Sequence, residues 1–139
     1  MINDFSGKHS FLSNFYSSPI QEGILTYPTV EHYYQSKKAT NMEDKLMVAK
    51  AVTPAEAKHM GRQIKMREDW EDIKIGVMER GLRMKFAIPE LRDLLLATGD
   101  EELVEGNWWN DTCWGVCRGV GENNLGKLLM KIRAELREQ

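Results

Sequence analysis

Helix-start signals recur along this chain and leave little room in its middle for anything but short, separately capped helices. Pro28 stops a helix from running further back, and Thr29 after it offers a hydroxyl to an unpaired first-turn N–H. Asn41 can cap a second helix, Met42 to Ala51, with Leu46, Met47 and Ala51 inward. Thr53-Pro54-Ala55-Glu56 has the form of a capping box with proline at the first helical position, and Gly61 is a natural residue to end that helix. A long helix is predicted from Asp69 to Phe86, with Trp70, Ile73, Val77 and Met84 along one stripe and Ile75, Met78, Leu82 and Phe86 along another. Gly76 and Gly81 inside it each cost about 1 kcal/mol against alanine, which predicts close backbone packing at both. Pro89 opens a helix to Ala97, closed by Gly99. Leu125, Leu128, Leu129, Ile132 and Leu136 form the core stripe of a last helix, started by an asparagine cap after Gly121, with Arg133 and Arg137 on its solvated side.

Strand signals are few. Phe11-Leu12-Ser13-Asn14-Phe15-Tyr16 reads as a core strand with a turn, or as a stretch in which Asn14 and an aromatic line a pocket. Ile24 to Tyr27, Leu103 to Glu105 and Trp114 to Cys117 are short strand candidates. The chain therefore reads as α+β: one mostly helical domain, residues 1–139, with a small sheet. Between the last two strands lies a loop with Trp108, Trp109 and Trp114, and exposed loops rarely carry tryptophan without a ligand or partner to cover it.

Composition narrows the function. A net charge of −2 argues against a non-specific grip on nucleic-acid backbone, which needs a basic patch. A small phosphorylated ligand needs only a few well-placed cations, and those are available. No apolar run approaches a membrane span, and the first residues lack a basic-then-apolar signal pattern, so a cytoplasmic protein without membrane partners is expected. The spacing of Cys113 and Cys117 suits neither a zinc ribbon nor a redox pair, and His9, His32 and His59 are scattered. Gly119-Val120-Gly121 lacks the third glycine and the strand–helix context of a dinucleotide fingerprint. No metal and no cofactor are expected.

One stretch carries a concentrated chemistry. On a helix begun at Thr29, Glu31 falls in the first turn and Gln35 and Lys38 follow at i+4 and i+7, so the three share a face beside Tyr33 and Tyr34. That is either a solvated face or a site, and Glu31 alone could merely complement the helix dipole.

The choice shifts when separated motifs are taken together. Phe11 to Tyr16, Pro28-Thr29-Val30-Glu31-His32 with Tyr34-Gln35, Ala57-Lys58 with Gly61-Arg62, and Arg67 with Trp70 resemble the YbiA-like family, also called NADAR for its proposed link to NAD and ADP-ribose. So do Glu105-Gly106-Asn107 with Asp111, Trp114-Gly115-Val116, and Gly121 to Asn123 with Leu125 to Met130, so the resemblance spans the chain in the family's order. It implies a mostly helical α+β fold and an N-glycosidase. The substrate would be either a ribosylamino-pyrimidine phosphate of riboflavin synthesis or a guanine base carrying ADP-ribose, in nucleic acid or free. The family's functional glutamate, tryptophan and aspartate fall on Glu31, Trp70 and Asp111. Two positions depart from it: Asn110 stands where relatives often have glycine, and Tyr33 where small residues are common, which predicts a narrower pocket.

Cleaving an N-glycosidic bond builds positive charge on ribose and negative charge on the departing base, and two carboxylates suit that. Glu31 is expected as the main acid/base, with Asp111 orienting water or binding ribose hydroxyls and Trp70 stacking on the base or walling the pocket. The three are expected to line one pocket. Arg62, Lys65 and Arg67 are candidate phosphate binders, ahead of Lys37 and Lys38. Asn14 and Asn123 could bind ribose or base edges, and Tyr34 and Trp114 complete the substrate-binding set. The competing class is a non-catalytic module that holds NAD or ADP-ribose; only the enzyme needs both Glu31 and Asp111.

Overall fold

The computed structural model describes all of residues 1–139. The chain divides into two compact units, Asn14–Lys85 and a second formed by Met1–Ser13 with Phe86–Gln139. Helices dominate, joined by two two-stranded sheets.

In Asn14–Lys85, β1 (Ile20–Glu22) and β2 (Leu25–Tyr27) form an antiparallel hairpin. Three capped helices follow: α1 (Val30–Ser36), α2 (Met42–Ala49) and α3 (Pro54–Gly61). Each N-cap side chain accepts from the backbone N–H three residues on: Thr29 from His32, Asn41 from Asp44, Thr53 from Glu56. This is the capping chemistry written in the sequence. α1 ends at Ser36, where the backbone is diverted. The Lys38 carbonyl accepts from the Arg67 N–H at 2.9 Å, and Ala39 pairs with Met66. In α2, Val48 and Ala49 are buried while Met47, expected inward, is exposed. The buried cluster of Val48, Ala51 and Ala57, with Met60 and Ile64 against it, sets the face that α2 turns inward.

Helix α4 (Trp70–Phe86) buries Trp70, Met78, Leu82 and Phe86, while Ile75 lies at the surface. Its two glycines differ. A Cβ on Gly81 would sit 2.9 Å from the Tyr33 ring, so α4 passes Tyr33 at backbone distance; a Cβ on Gly76 would meet nothing within 4 Å. Gly81→Ala is therefore expected to lower stability by about 1–3 kcal/mol through overpacking. Gly76→Ala is expected to raise it by up to about 1 kcal/mol through helix propensity alone. Thermal melts of the two variants check the contrast.

Lys85, near the end of α4, is fully buried, with its ammonium 5.4 Å from the Tyr16 ring centroid. Burial pushes its pKa down to about 7. In the unfolded chain it regains its ordinary value of 10.5. Between those values the unfolded state binds the extra proton, so stability rises with pH across that window. Lys38, lowered by burial as well, contributes with the same sign. The melting temperature is expected to climb between about pH 7 and pH 9, and Lys85→Met to flatten most of that climb.

In the other unit, a 3-10 turn (Gly7–Leu12) packs on α5 (Pro89–Ala97), and α5 on α6 (Asn124–Arg137). Phe11 and Leu12, expected in a strand, are buried from this turn. Neighbouring residues on a strand face opposite sides, so a tight turn is the way to bury both. Ile2 bridges Leu103, and β3 (Gly106–Asn107) pairs in parallel with β4 (Val116–Cys117). The strand read at Leu103 to Glu105 is reduced to that bridge. Leu125, Leu128, Leu129 and Ile132 are buried as their spacing predicts. Arg133, expected in solvent, is buried too, and its guanidinium donates to Thr98 Oγ1 at 2.8 Å. Its long stem can cover apolar surface while the head finds an acceptor at the end of α5.

Candidate functional site

Every residue of α1 is buried, although four of its seven are polar or charged: Glu31, His32, Gln35 and Ser36. Buried polar groups need partners, and the surroundings are arranged to supply them. His32 is held by Thr29 Oγ1 at Nδ1 (2.8 Å) and by the Ala51 carbonyl at Nε2 (3.0 Å). The carbonyl can only accept, so Nε2 carries the proton and Nδ1 accepts from the hydroxyl. Burial holds its pKa below the ordinary value, in keeping with this neutral form. His32 therefore fixes α1 to the end of α2 and is not presented as a reactive group.

Glu31 is the centre of the opposite arrangement. Its backbone N–H donates to the Asn14 carbonyl at 3.1 Å, which ties Asn14 to the first turn of α1. Its carboxylate Oε2 accepts from Gln35 Nε2 at 2.7 Å, a short bond between two buried groups one turn apart. Lys38 lies close enough for its charge to be favoured by Glu31; burial nevertheless lowers its pKa, and the neighbouring Arg62, Lys58 and Lys74 push the same way. The Lys38 ammonium stands over two rings, 5.6 Å from the centroid of Tyr34 and 5.9 Å from that of Trp70. Those rings are packed on each other at 5.0 Å with a 59° tilt. Glu31, Gln35, Lys38, Tyr34 and Trp70 thus form one continuous cluster: an acid, its amide donor, a cation and a two-ring floor. Asn14 borders it, buried, with Nδ2 on the Met78 sulfur at 3.4 Å and an Oδ1 that has no protein partner.

Trp70 is 3% exposed, so nearly all of its ring is covered by protein. It supports Tyr34 and Lys38 from behind. Tyr33, read from sequence as narrowing a pocket, is wholly buried. It packs edge-on against Tyr27 at 5.1 Å, and its hydroxyl donates to Glu22 at 3.0 Å, where Lys37 and Arg80 also pair.

The three cations of the connector differ in what holds them. Arg67 makes a two-pronged pair with Asp69 (2.7 and 2.9 Å), and its backbone anchors Lys38. Arg62 is exposed and acts electrostatically on Lys38; Lys65 is exposed on the connector. Sequence reasoning ranked Lys38 below all three and left Gln35 out of the site. The i+4 and i+7 spacing from Glu31 was the available signal.

The remaining candidates belong to the other unit. Asp111 is held by a reciprocal clasp: Asn107 Oδ1 accepts from its N–H at 3.0 Å, and Asn107 Nδ2 donates to its carbonyl at 2.9 Å. One carboxylate oxygen, Oδ1, then accepts from the N–H groups of Cys113 and Trp114 at 3.2 and 2.9 Å. Such a turn needs an acid or amide at its first position, so a structural role for Asp111 is complete without any ligand. Asn110 before it has φ 68°, a left-handed conformation that asparagine tolerates where most residues do not. Asparagine in place of glycine there keeps the backbone path. The Asn123 carboxamide is used by backbone: it donates to the Leu103 carbonyl and accepts from the Glu105 N–H, both at 3.0 Å. It caps no helix by its side chain; instead the Asn124 and Leu125 N–H groups at the start of α6 donate to the carbonyls of Cys113 and Trp114. Trp114 is half-buried, whereas Trp108 is 81% exposed and packs edge-on against Trp109. Cys113 and Cys117 are free thiols. No three His, Cys, Asp or Glu side chains are grouped to hold a metal ion, and no helix is long and apolar enough to cross a membrane.

Known proteins resemble this chain over nearly its full length. A family described as the NADAR domain matches residues 3–137. The N-glycosidase YbiA of Escherichia coli K12 is 39% identical over 142 residues, covering 98% of this chain and 88% of its own. An N-glycosidase of Nostoc punctiforme is 39% identical over 132 residues, covering 90% and 84%. A riboflavin biosynthesis protein of Vibrio vulnificus is 40% identical over 134 residues; the match covers 94% of this chain but 36% of that longer protein. The NMR structure of E. coli YbiA superposes with a TM-score of 0.86 at 37% identity, covering 99% of this chain and 88% of that one. Sequence and fold agree: the chain belongs to the NADAR family.

Proposed function

We propose that this protein is an N-glycosidase that hydrolyses the bond between a ribose carbon and the nitrogen of a base. The observation that carries the reading is the buried Glu31 carboxylate, held by Gln35 beside Lys38 and the Tyr34–Trp70 rings. Breaking the bond sends its electron pair to the base, which must take up a proton, and leaves C1′ electron-poor until water adds and gives up a proton. A carboxyl group at C1′ meets this demand, as an anion beside the oxocarbenium or as a proton carrier. Lys38 over the rings, with Arg62 nearby, supplies positive charge for a phosphorylated ribose. Asp111 is proposed to bind water or ribose hydroxyls through Oδ2, since Oδ1 is engaged by the turn.

The substrate is a phosphorylated riboside, and two classes are in view. The names of the relatives point to N-glycosidases and to riboflavin biosynthesis; the family resemblance implies the two substrate classes, ribosylamino-pyrimidine phosphates and guanine bases bearing ADP-ribose. Incubation with each, reading the released base by mass, tests the proposal. Free pyrimidine or free guanine is the expected product. Both substrates recovered intact, with one of them bound, would make the protein a holder of nucleotide-like ligands.

A further inference from the structure

Gln35 and Gly61 both stand in the motifs that carry the family resemblance, which gave neither a role; together they form a device around Glu31. The Gln35 carboxamide is 4% exposed and donates through Nε2 to Glu31 Oε2. Its other end, Oε1, has no hydrogen-bond partner. The reason lies in α3. A Cβ built on Gly61 would overlap Gln35 Oε1, so the oxygen is pressed against the bare Gly61 Cα. Gly61 is the last residue of α3, and Arg62 after it is still right-handed, so no left-handed turn calls for glycine at this position. The glycine expected to end the helix does end it, and it is also the floor of the carboxamide's slot.

That slot decides which way the amide faces. Turned over, it would set NH2 hydrogens against the Gly61 Cα and leave a buried donor unmade, at a cost of about 1–3 kcal/mol. Held as it is, the amide can only donate to Glu31. A donated hydrogen bond favours a carboxylate over a carboxylic acid.

We infer that Gln35, locked by Gly61, is a positioning residue that keeps Glu31 ionised, so that Glu31 meets the substrate as an anion or base and the leaving base takes its proton from another source. In the reaction, the C1′–N bond breaks and its electron pair leaves with the base, which takes a proton from solvent water; the attacking water oxygen bonds to C1′, and its proton passes to Glu31 and then to solvent. This rests on the N-glycosidase reading above. The other charged groups around α1 are accounted for. Lys38 faces Glu31, with Lys58 on α3, Arg62 just after it and Lys74 on α4 around it. His32 faces Ala51 and Glu56. Glu22, Lys37 and Arg80 gather at Tyr33.

The test is the pH dependence of single-turnover base release, measured for the wild type, Gln35→Met, Gly61→Ala and the double variant, with a melt of each. The wild-type rate should fall on acidification as Glu31 takes a proton. Gln35→Met keeps the volume and removes the donor, so this acid limb should move up by about one pH unit or more. Gly61→Ala should reproduce the shift although alanine is the better helix former, and the double variant should go no further, as two changes acting through one contact do. An acid limb unmoved in Gln35→Met, or fully additive shifts, would overturn the inference. If Gln35→Met does not fold, Gly61→Ala decides alone: its limb moves, or the inference fails. Glu31→Gln run alongside separates the two levels. A wild type that releases no base sinks the N-glycosidase reading; a Glu31→Gln enzyme as fast as wild type removes the catalytic role of Glu31 and the inference with it; a dead Glu31→Gln with an unmoved Gln35→Met limb sinks only the role of Gln35.

Discussion

Trp70→Ala is expected to cost more in stability than in any contact with substrate. The ring is 3% exposed and packed on Tyr34, with Lys38 above both. Deleting so large a buried ring leaves a cavity, and such changes cost about 3–5 kcal/mol. Stacking on a base, where it occurs, is worth about 1–3 kcal/mol. The packing effect wins, and the melting temperature should fall by on the order of 10–20 °C. Binding should weaken as well, but through Tyr34 and Lys38, whose floor has gone. A misplaced cation and ring shift the sugar, and rates fall steeply with such displacement. Trp70→Phe keeps a ring in place and should recover most of the stability. Melts, ligand titration and single-turnover rates for the two variants, taken well below either melting temperature, separate the effects. A Trp70→Ala protein as stable as wild type, but unable to bind, would show the ring to be a ligand surface instead.

Local signals in the sequence carried far, and they stopped where the third dimension decides. Thr29, Asn41 and Thr53 cap the helices they were expected to cap, because capping is settled within four residues. The stripe of α6 was legible for the same reason: helical spacing alone puts Leu125, Leu128, Leu129 and Ile132 on one side. Arg133 was not, since its burial depends on Thr98 thirty-five positions away. Gly61 ends α3 as expected, but its contact with Gln35, like the open space beside Gly76 where close packing was expected, depends on neighbours outside its own segment. At the site, the i, i+4 pair of Glu31 and Gln35 was written in the spacing, and the hydrogen bond is there. What the spacing could not supply is the Gly61 wall that turns Gln35 into a donor. The aromatic partner of Tyr34 was equally hidden: Trp70 is thirty-six positions on, brought in where the connector after α3 pairs with Lys38 and Ala39.

Glu31→Gln is the change with the largest expected effect on turnover. Glutamine keeps the size and polarity of the side chain, so Tyr34, Trp70 and Lys38 need not move, and ground-state contacts to a ligand survive. It offers C1′ no negative charge and takes no proton from water. If the carboxylate acts only in the transition state, kcat and kcat/KM fall together while affinity holds. A positioned acid or base contributes about 10²–10⁴-fold, and a loss in that range is expected. Some unfavourable repacking is also expected, because two facing amides replace a charge-assisted bond to Gln35. The decisive measurement is single-turnover release of base with protein in excess, wild type beside Glu31→Gln, with a ligand titration on the same preparations. Release at least about 100-fold slower in Glu31→Gln at unchanged affinity is the expected result; equal release by the two proteins would contradict a catalytic Glu31.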